Sequence, residues 1–452
     1  HGPDYWRELL QLTLKELISE PNYTPDDLAK VTRPVLVIQG GNDGVNAPSH
    51  HAEFIADHIP DAECWIPPGI GHNVHFEHTL EWIARVFDFL KRRGDDANDA
   101  LYRLCQHHYA DPRETIFDVH ATPLSLVGRG VGGEGVSLSG QVLTADQHRA
   151  ALDVLPAQPV DDQVRVLLTS DTPYALINRS VADVRREPRA GSEQLTQLLI
   201  GEVVRVLDEQ GEWSLIRVER DGYLGWARTQ SLQRCDRKTA SRYQASAKAI
   251  VCGGIVPAYD RPSSKANLIG KLPFCAMLPV VDEKTQFKAV RLPDDRVWWV
   301  KSSDLMPRSQ RPKPARAGIT FALDLMRQFL GTPYQWGGCS PFGYDCSGFA
   351  QTFHRFMGVS IPRDADQQFR DGAPVMSTPQ AGDLLYFGGA GDDDGPQPRY
   401  GHVTHVAISL GGDELIHANG TTWSIAYNSL DPGSPIYRAW LKDHLLGVRR
   451  FR

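Results

Sequence analysis

A chain of 452 residues is too long for one ordinary domain and implies about three. Its formal net charge of −7 removes the general electrostatic reason for nucleic-acid binding, and no run of about 18 apolar residues is present to span a membrane. Seven cysteines, odd in number and without metal-ligand spacing, argue against a disulfide framework or a zinc site and point to a reducing compartment. The expected location is therefore cytoplasmic; a signal peptide upstream of His1 would make it secreted or periplasmic instead.

Residues 1–94 alternate helix and strand, the pattern of an open α/β sheet. Tyr5–Ile18 reads as a helix, Pro34–Val45 as a buried strand running into a turn, Ser49–Ile59 as a helix and Ala62–Pro68 as a second strand. A turn at Gly69–Asn73 leads to a last helix, Thr79–Arg93. Asp43 and His72 each stand just after a strand, where sites of α/β sheets lie. This stretch resembles the C-terminal part of an α/β-hydrolase, which implies Asp43 and His72 as acid and base of its triad. A G-x-S-x-G nucleophile elbow has to come first in chain order, and the sequence contains none. The expectation is an inactive remnant of a second, serine-type hydrolase.

Gly94–Ala100 reads as a polar linker. Residues 101–172 are expected to form a small α+β module acting as a spacer: strands at Thr115–Ala121, Gly135–Leu143 and Gln163–Leu168, with a helix at Ala145–Leu155. His107, His108 and His120 are too irregularly spaced to hold a metal.

An internal repeat follows. Trp226 of Gly-Trp-Ala aligns with Trp299 of Trp-Trp-Val, an offset of 73 (299 − 226), and Trp213 aligns with Phe287. Each unit holds short β runs cut by Gly, Asp and Pro turns, which predicts two small barrels, 173–236 and 240–308. Both resemble bacterial SH3-like domains. Met306–Gly318 is a Pro- and Arg-rich linker whose charge serves solubility, and a helix over Ile319–Leu330 follows.

Gly331–Gly358 carries the chemistry. Phe349, Phe353 and Phe356 recur at helical spacing, and Asp345 is a good N-cap, so Cys346 falls in the first turn. There the helix dipole favours thiolate and the free N–H groups favour an oxyanion. Downstream, Gly401–Gly420 reads as two strands around a Gly411-Gly412 turn. Val406, Ile408 and Leu410 share one face and His405, Ala407 and Ser409 the other. His402 has the apolar parity, so His405 is the expected base; His417 or Asn419 would orient its imidazole.

The blocks PYQWGG, DCSGFAQ, IPRDADQQ, AGDLLYF, THVAISLG and LIHA, in that order, resemble the signatures of the NlpC-type cell-wall cysteine peptidases. The resemblance covers 317–452 and implies a papain-like α+β domain with Cys346 as nucleophile, His405 as base and His417 as third residue, without metal or cofactor. Two SH3-like domains ahead of such a peptidase resemble the γ-D-glutamyl-L-diamino acid endopeptidases. That implies a cell-wall peptide substrate such as L-Ala-γ-D-Glu-meso-diaminopimelate, with the first SH3-like domain capping the cleft. Asp345, Glu193 and Tyr223 are the candidates for a free ammonium, and Arg363, with Ser347 and Asp364, for the D-Glu carboxylate. The alternatives are a secreted peptidoglycan remodeller and a non-catalytic wall-peptide binder. The sequence leaves open the oligomeric state and the identity of the diamino acid.

Overall fold

The computed structural model describes residues 24–31, 35–45, 47–48, 51–93, 96–123, 135–155, 159–388 and 403–452. The expected first helix, Tyr5–Ile18, and His402 lie outside them.

Strands Val35–Ile38 and Ala62–Trp65 pair in parallel, Val35 opposite Ala62 and Ile38 opposite Trp65. Helices Ala52–His58, Val74–Glu77 and Thr79–Arg93 accompany them, as the alternating pattern predicts. The expected linker does not stay irregular: helix Asp96–His108 runs through most of it. Ala97 and Leu101, four apart, are buried, and this one-sided burial holds as helix a stretch that composition marks as loop. Strands Phe117–Pro123, Val136–Val142 and Val160–Val166 form a three-stranded sheet in that order, with helix Ala145–Asp153 between the second and third in the chain.

The chain divides into two compact units, His1–His108 with Asp118–Gly140 and Arg149–Val164, and Tyr109–Phe117 with Gln141–His148 and Arg165–Arg452. The second unit contains a seven-stranded antiparallel sheet. Its spatial order is Leu232–Cys235, Tyr174–Ile177, Val203–Gln210, Trp213–Val218, Leu224–Arg228, Val181–Arg185 and Gln194–Leu199. Ile177, Val184, Val204, Ile216 and Ala227 fill its interior. After helix Arg237–Ser246 come a five-stranded and a three-stranded sheet over residues 249–307. The repeat is visible here. Trp226 and Trp299 each sit mid-strand, and each strand runs through a 3-10 turn, Thr229–Ser231 or Ser302–Asp304, into a short final strand. Trp213 and Phe287 each open the strand paired with it.

The last part is a six-stranded antiparallel sheet with helices packed on it. The order is Ala373–Pro374, Leu445–Arg450, Leu384–Gly388, Val403–Gly411, Glu414–Asn419 and Ser424–Ser429. Helix Cys346–Phe356 lies against Val403–Gly411 and Glu414–Asn419. Phe349, Phe353 and Phe356 are fully buried, as their spacing predicts, and the polar residues from Ser347 to His354 are buried too. A helix enclosed on nearly all sides has little freedom to shift, which fixes the position of Cys346 at its start.

Candidate active site

Cys346 is the first residue of its helix and is 8 % exposed. Asp345 is the N-cap: its Oδ1 accepts from Gly348 N at 2.6 Å, and its Oδ2 from Gly337 N at 2.9 Å. Gly337 takes φ +72°, and a Cβ there would lie 2.5 Å from the Gln194 carbonyl, so only glycine fits. The Asp345 carbonyl takes the Phe349 N–H. At the helix start the N–H groups of Cys346 and Ser347 have no intrahelical carbonyl to meet, and that of Ser347 faces the Cys346 sulfur.

Arg363 is placed differently from expectation. It is 1 % exposed and lies behind Asp345, with Nη2 to Oδ2 at 2.6 Å and Nη1 to Oδ1 at 3.2 Å. Its Nη1 also donates to Ser347 Oγ at 2.8 Å and its Nε to Thr196 Oγ1 at 2.9 Å. A guanidinium so engaged holds the cap and is not presented to a ligand carboxylate. Ser347 is likewise tied into this network, donating to Asp345 Oδ1 at 3.2 Å.

His405 lies on strand Val403–Gly411, opposite Phe387, and the N–H of the next residue, Val406, faces the Cys346 sulfur and favours its thiolate. The ring nitrogens then follow from a chain of partners. Asn428 Nδ2 donates to the Ile436 carbonyl at 2.9 Å, so its Oδ1 faces His417 Nε2, 2.9 Å away, and accepts. A neutral His417 therefore carries its proton on Nε2 and accepts on Nδ1 from His405 Nε2 at 2.6 Å. His405 is left with an unprotonated Nδ1, the form a general base needs. Asn419 does not orient the imidazole: its Oδ1 is occupied by Thr421 N and Thr422 N, at 3.1 and 2.9 Å. Asn428 lies diagonal to His417 across the strand pair in which His417 faces Ala426, so the signal that finds it is the two-residue period of a sheet face.

The resting electrostatics differ from the thiolate that the helix dipole alone suggests. Burial pushes the Cys346 thiol up to about 12, and the Asp345 carboxylate adds to this against the Val406 N–H, Arg363 and the Ser347 N–H. Burial, then His417, pushes His405 well below its ordinary value. Burial takes His417 down to about 4 despite its bond to Asn428. Both shifts favour the thiol and the neutral imidazole over the ion pair.

A cavity of about 520 Å³ opens at Cys346. Glu193 and Tyr223, from the seven-stranded sheet region, line it together with Asp364. Tyr223 donates its hydroxyl to Asp364 Oδ2 at 2.8 Å. Glu193 accepts from Arg186 Nε at 2.7 Å and from Trp336 Nε1 at 2.9 Å. Burial raises the Glu193 carboxyl, but these two partners outweigh it and the net shift is down. Burial raises Asp364 against the pull of Arg363, Arg113 and Tyr223.

Arg113, Arg186, Tyr334 and Trp336 also line the cavity and were not singled out from sequence. Tyr334 and Trp336 stand inside the PYQWGG block. Arg113 had no sequence signal at all. It comes from the stretch read as spacer and reaches Asp364 Oδ2 at 2.9 Å and Asp366 Oδ2 at 2.7 Å. Glu114 beside it accepts from Arg370 Nη2 at 2.7 Å, so this stretch forms part of the cleft wall.

Elsewhere, His72 Nδ1 and Asp43 Oδ2 stand 3.0 Å apart, brought together as the sequence suggested. Among the described residues no cluster of His, Cys, Asp and Glu is arranged to hold a metal, and no helix is long and apolar enough to cross a membrane.

The family model described as NlpC/P60 family matches residues 331–450, and the one described as bacterial dipeptidyl-peptidase Sh3 domain matches 184–232. The chain is 33% identical to a gamma-D-glutamyl-L-lysine dipeptidyl-peptidase of Bacillus subtilis, over 51% of this chain and 74% of that one. It is also 33% identical to the protein of that name from Bacillus cereus, over 49% of this chain and 66% of that one. A solved structure of an NlpC/P60 family protein from Bacillus cereus superposes with a TM-score of 0.52 at 26% identity, covering 62% of this chain and 99% of that one. The matched stretches hold both the buried cysteine helix with its histidine strands and the sheet that walls the cleft. The chain thus belongs to the NlpC/P60 family and carries its papain-like cysteine peptidase domain behind an SH3-like domain.

Proposed function

We propose that the chain is a cysteine endopeptidase that hydrolyses the γ-D-glutamyl–diamino acid bond of free cell-wall peptides such as L-Ala-γ-D-Glu-meso-diaminopimelate, in cell-wall peptide recycling. The observation that carries this reading is the charge balance of the cavity's far end. With Asp345 set against Arg363, the lining carboxylates are Glu193, Asp364 and Asp366 and the lining guanidiniums are Arg113 and Arg186. Three against two leaves one negative charge in the cavity, which suits one ammonium, the N-terminus of a short peptide. The names of the Bacillus relatives, gamma-D-glutamyl-L-lysine dipeptidyl-peptidases, support the same bond class. The seven cysteines are all free thiols, which supports a reducing, cytoplasmic compartment.

In this mechanism His405 Nδ1 takes the Cys346 proton as the sulfur attacks the γ-amide carbonyl. The oxyanion rests on the Cys346 and Ser347 N–H groups. Protonated His405, held by His417 and Asn428, gives its proton to the leaving amine and a thioester remains. Water activated by the same imidazole releases the acid. Residues 240–308 act as a second SH3-like barrel on the strength of the shared strand, 3-10 turn and strand order. Residues 1–94 act as an α/β-hydrolase remnant on the strength of the Asp43–His72 contact.

The test compares the free tripeptide with its N-acetylated form and with intact peptidoglycan. Losing a charge-assisted contact costs about 1.5–3 kcal/mol, so acetylation should lower kcat/KM roughly 10- to 150-fold. Equal cleavage of all three would favour a wall-remodelling hydrolase with an open cleft, and cleavage of none a non-catalytic binder.

A further inference from the structure

The turn that joins strands Glu414–Asn419 and Ser424–Ser429 contains the feature that the mechanism above leaves unused. Trp423 takes φ +51°, the left-handed region that bulky L residues avoid. It is also 69% exposed, with its large apolar ring in solvent. Both are unfavourable, and the surrounding turn holds them in place. Asn419 Oδ1 accepts from Thr421 N at 3.1 Å, Thr422 N at 2.9 Å and Thr422 Oγ1 at 3.1 Å. The Trp423 carbonyl accepts from Tyr334 N at 2.8 Å, and the next pair, Ile425 N to the Thr332 carbonyl at 3.0 Å, pins the other side. Strain kept in this way by an over-determined turn is characteristic of ligand contacts.

The position of the indole indicates which ligand group it meets. Its ring stands edge-on to Tyr334, with centroids 6.1 Å apart, and Tyr334 lines the cavity together with Cys346. Tyr334 lines the cavity with Glu193 and Tyr223, whereas Trp423 does not. Trp423 thus stands beside a wall residue of the cleft but outside the lining that holds Glu193 and Tyr223, the end assigned to the acyl half of the substrate. An exposed indole face offers contact to methylene groups and attraction to an ammonium.

Resting on the γ-glutamyl peptidase reading, we propose that Trp423 is a specificity-determining residue on the leaving-group side, receiving the aliphatic side chain and terminal ammonium of the diamino acid. The experiment uses the full chain with L-Ala-γ-D-Glu-L-Lys and L-Ala-γ-D-Glu-L-Ala, and the variants Trp423→Gly and Trp423→Phe. Wild type should favour the lysine peptide by about 3- to 10-fold in kcat/KM. Trp423→Gly should abolish that preference by slowing the lysine peptide alone, and Trp423→Phe should retain part of it. Glycine accepts the left-handed backbone, so the melting temperature of Trp423→Gly should hold or rise. A preference that survives in Trp423→Gly overturns the proposal, as does a fall in melting temperature with discrimination unchanged, which marks a purely structural role. Wild type inert on both peptides sinks the γ-glutamyl reading and this proposal together, whereas wild type cleaving both equally sinks this proposal alone.

Discussion

Replacing Arg363 by Met separates a residue that holds the site from one that binds substrate. The side chain is 1 % exposed, and its partner Asp345 is 7 % exposed and adjoins Cys346. Without the guanidinium, Asp345 keeps the N–H groups of Gly337 and Gly348 and the Ser347 hydroxyl, but its charge is buried without a counterion. Breaking a buried pair from one side costs about 3–5 kcal/mol. The Cys346 thiol, already raised by Asp345 and eased by Arg363, should rise further, so kcat should fall as well. Urea unfolding and kcat/KM on the free tripeptide measure the two effects. The double variant Arg363→Met with Asp345→Asn should recover most of the lost stability, because both charges leave together. A loss below about 1 kcal/mol in Arg363→Met, with only KM raised, would refute this argument and restore Arg363 as a ligand for the substrate carboxylate.

The pH dependence follows from the same site. In the proposed mechanism activity needs unprotonated His405, whose folded value lies well below the ordinary 6.5, so kcat/KM should fall only as acidity approaches that lowered value and stay level above it. An alkaline limb near about 8–9 would mean instead a thiolate–imidazolium pair. His417 is neutral in the fold down to about 4 but titrates near 6.5 when unfolded, so its share of stability is present above 6.5 and lost as pH falls through this window. The 2.5-unit difference (6.5 − 4) corresponds to about 3 kcal/mol, and chemical denaturation at pH 7 and pH 4 of wild type and His417→Asn should show that share missing in the variant. Asn428→Ala should lower kcat by about 10-fold or more with KM held, and Asn428→Asp, which still accepts, should recover activity; an unaffected Asn428→Ala would remove the tautomer argument. Arg113→Ala leaves the ammonium end more negative and should lower KM for the free peptide by a few-fold without changing the rate on the acetylated one, and a uniform change on both would count against its place at the ammonium end.

The place of Cys346 was legible in the sequence because its cause is local. Asp345 before an apolar-periodic run specifies a capped helix, and the cap alone puts Cys346 in its first turn. The parity of Val403–Gly411 likewise chose His405, since alternation along a strand needs no knowledge of its neighbours. The parallel pair near Asp43 and the repeat of Trp226 and Trp299 were readable for the same reason. Periodicity did not tell which polar groups meet across the fold. Arg363 reads equally well as a ligand or a strut, and only burial behind Asp345 decides. Asn419 and Asn428 are both near His417 in the chain, but strand register brings one to the imidazole and turn geometry removes the other. Helix dipole arguments favoured thiolate, whereas desolvation, which depends on everything packed around Cys346, pushes the thiol the other way. Arg113 is the extreme case. It stands 251 residues from Asp364, and no local pattern encodes a contact that exists only once the chain has folded back on itself.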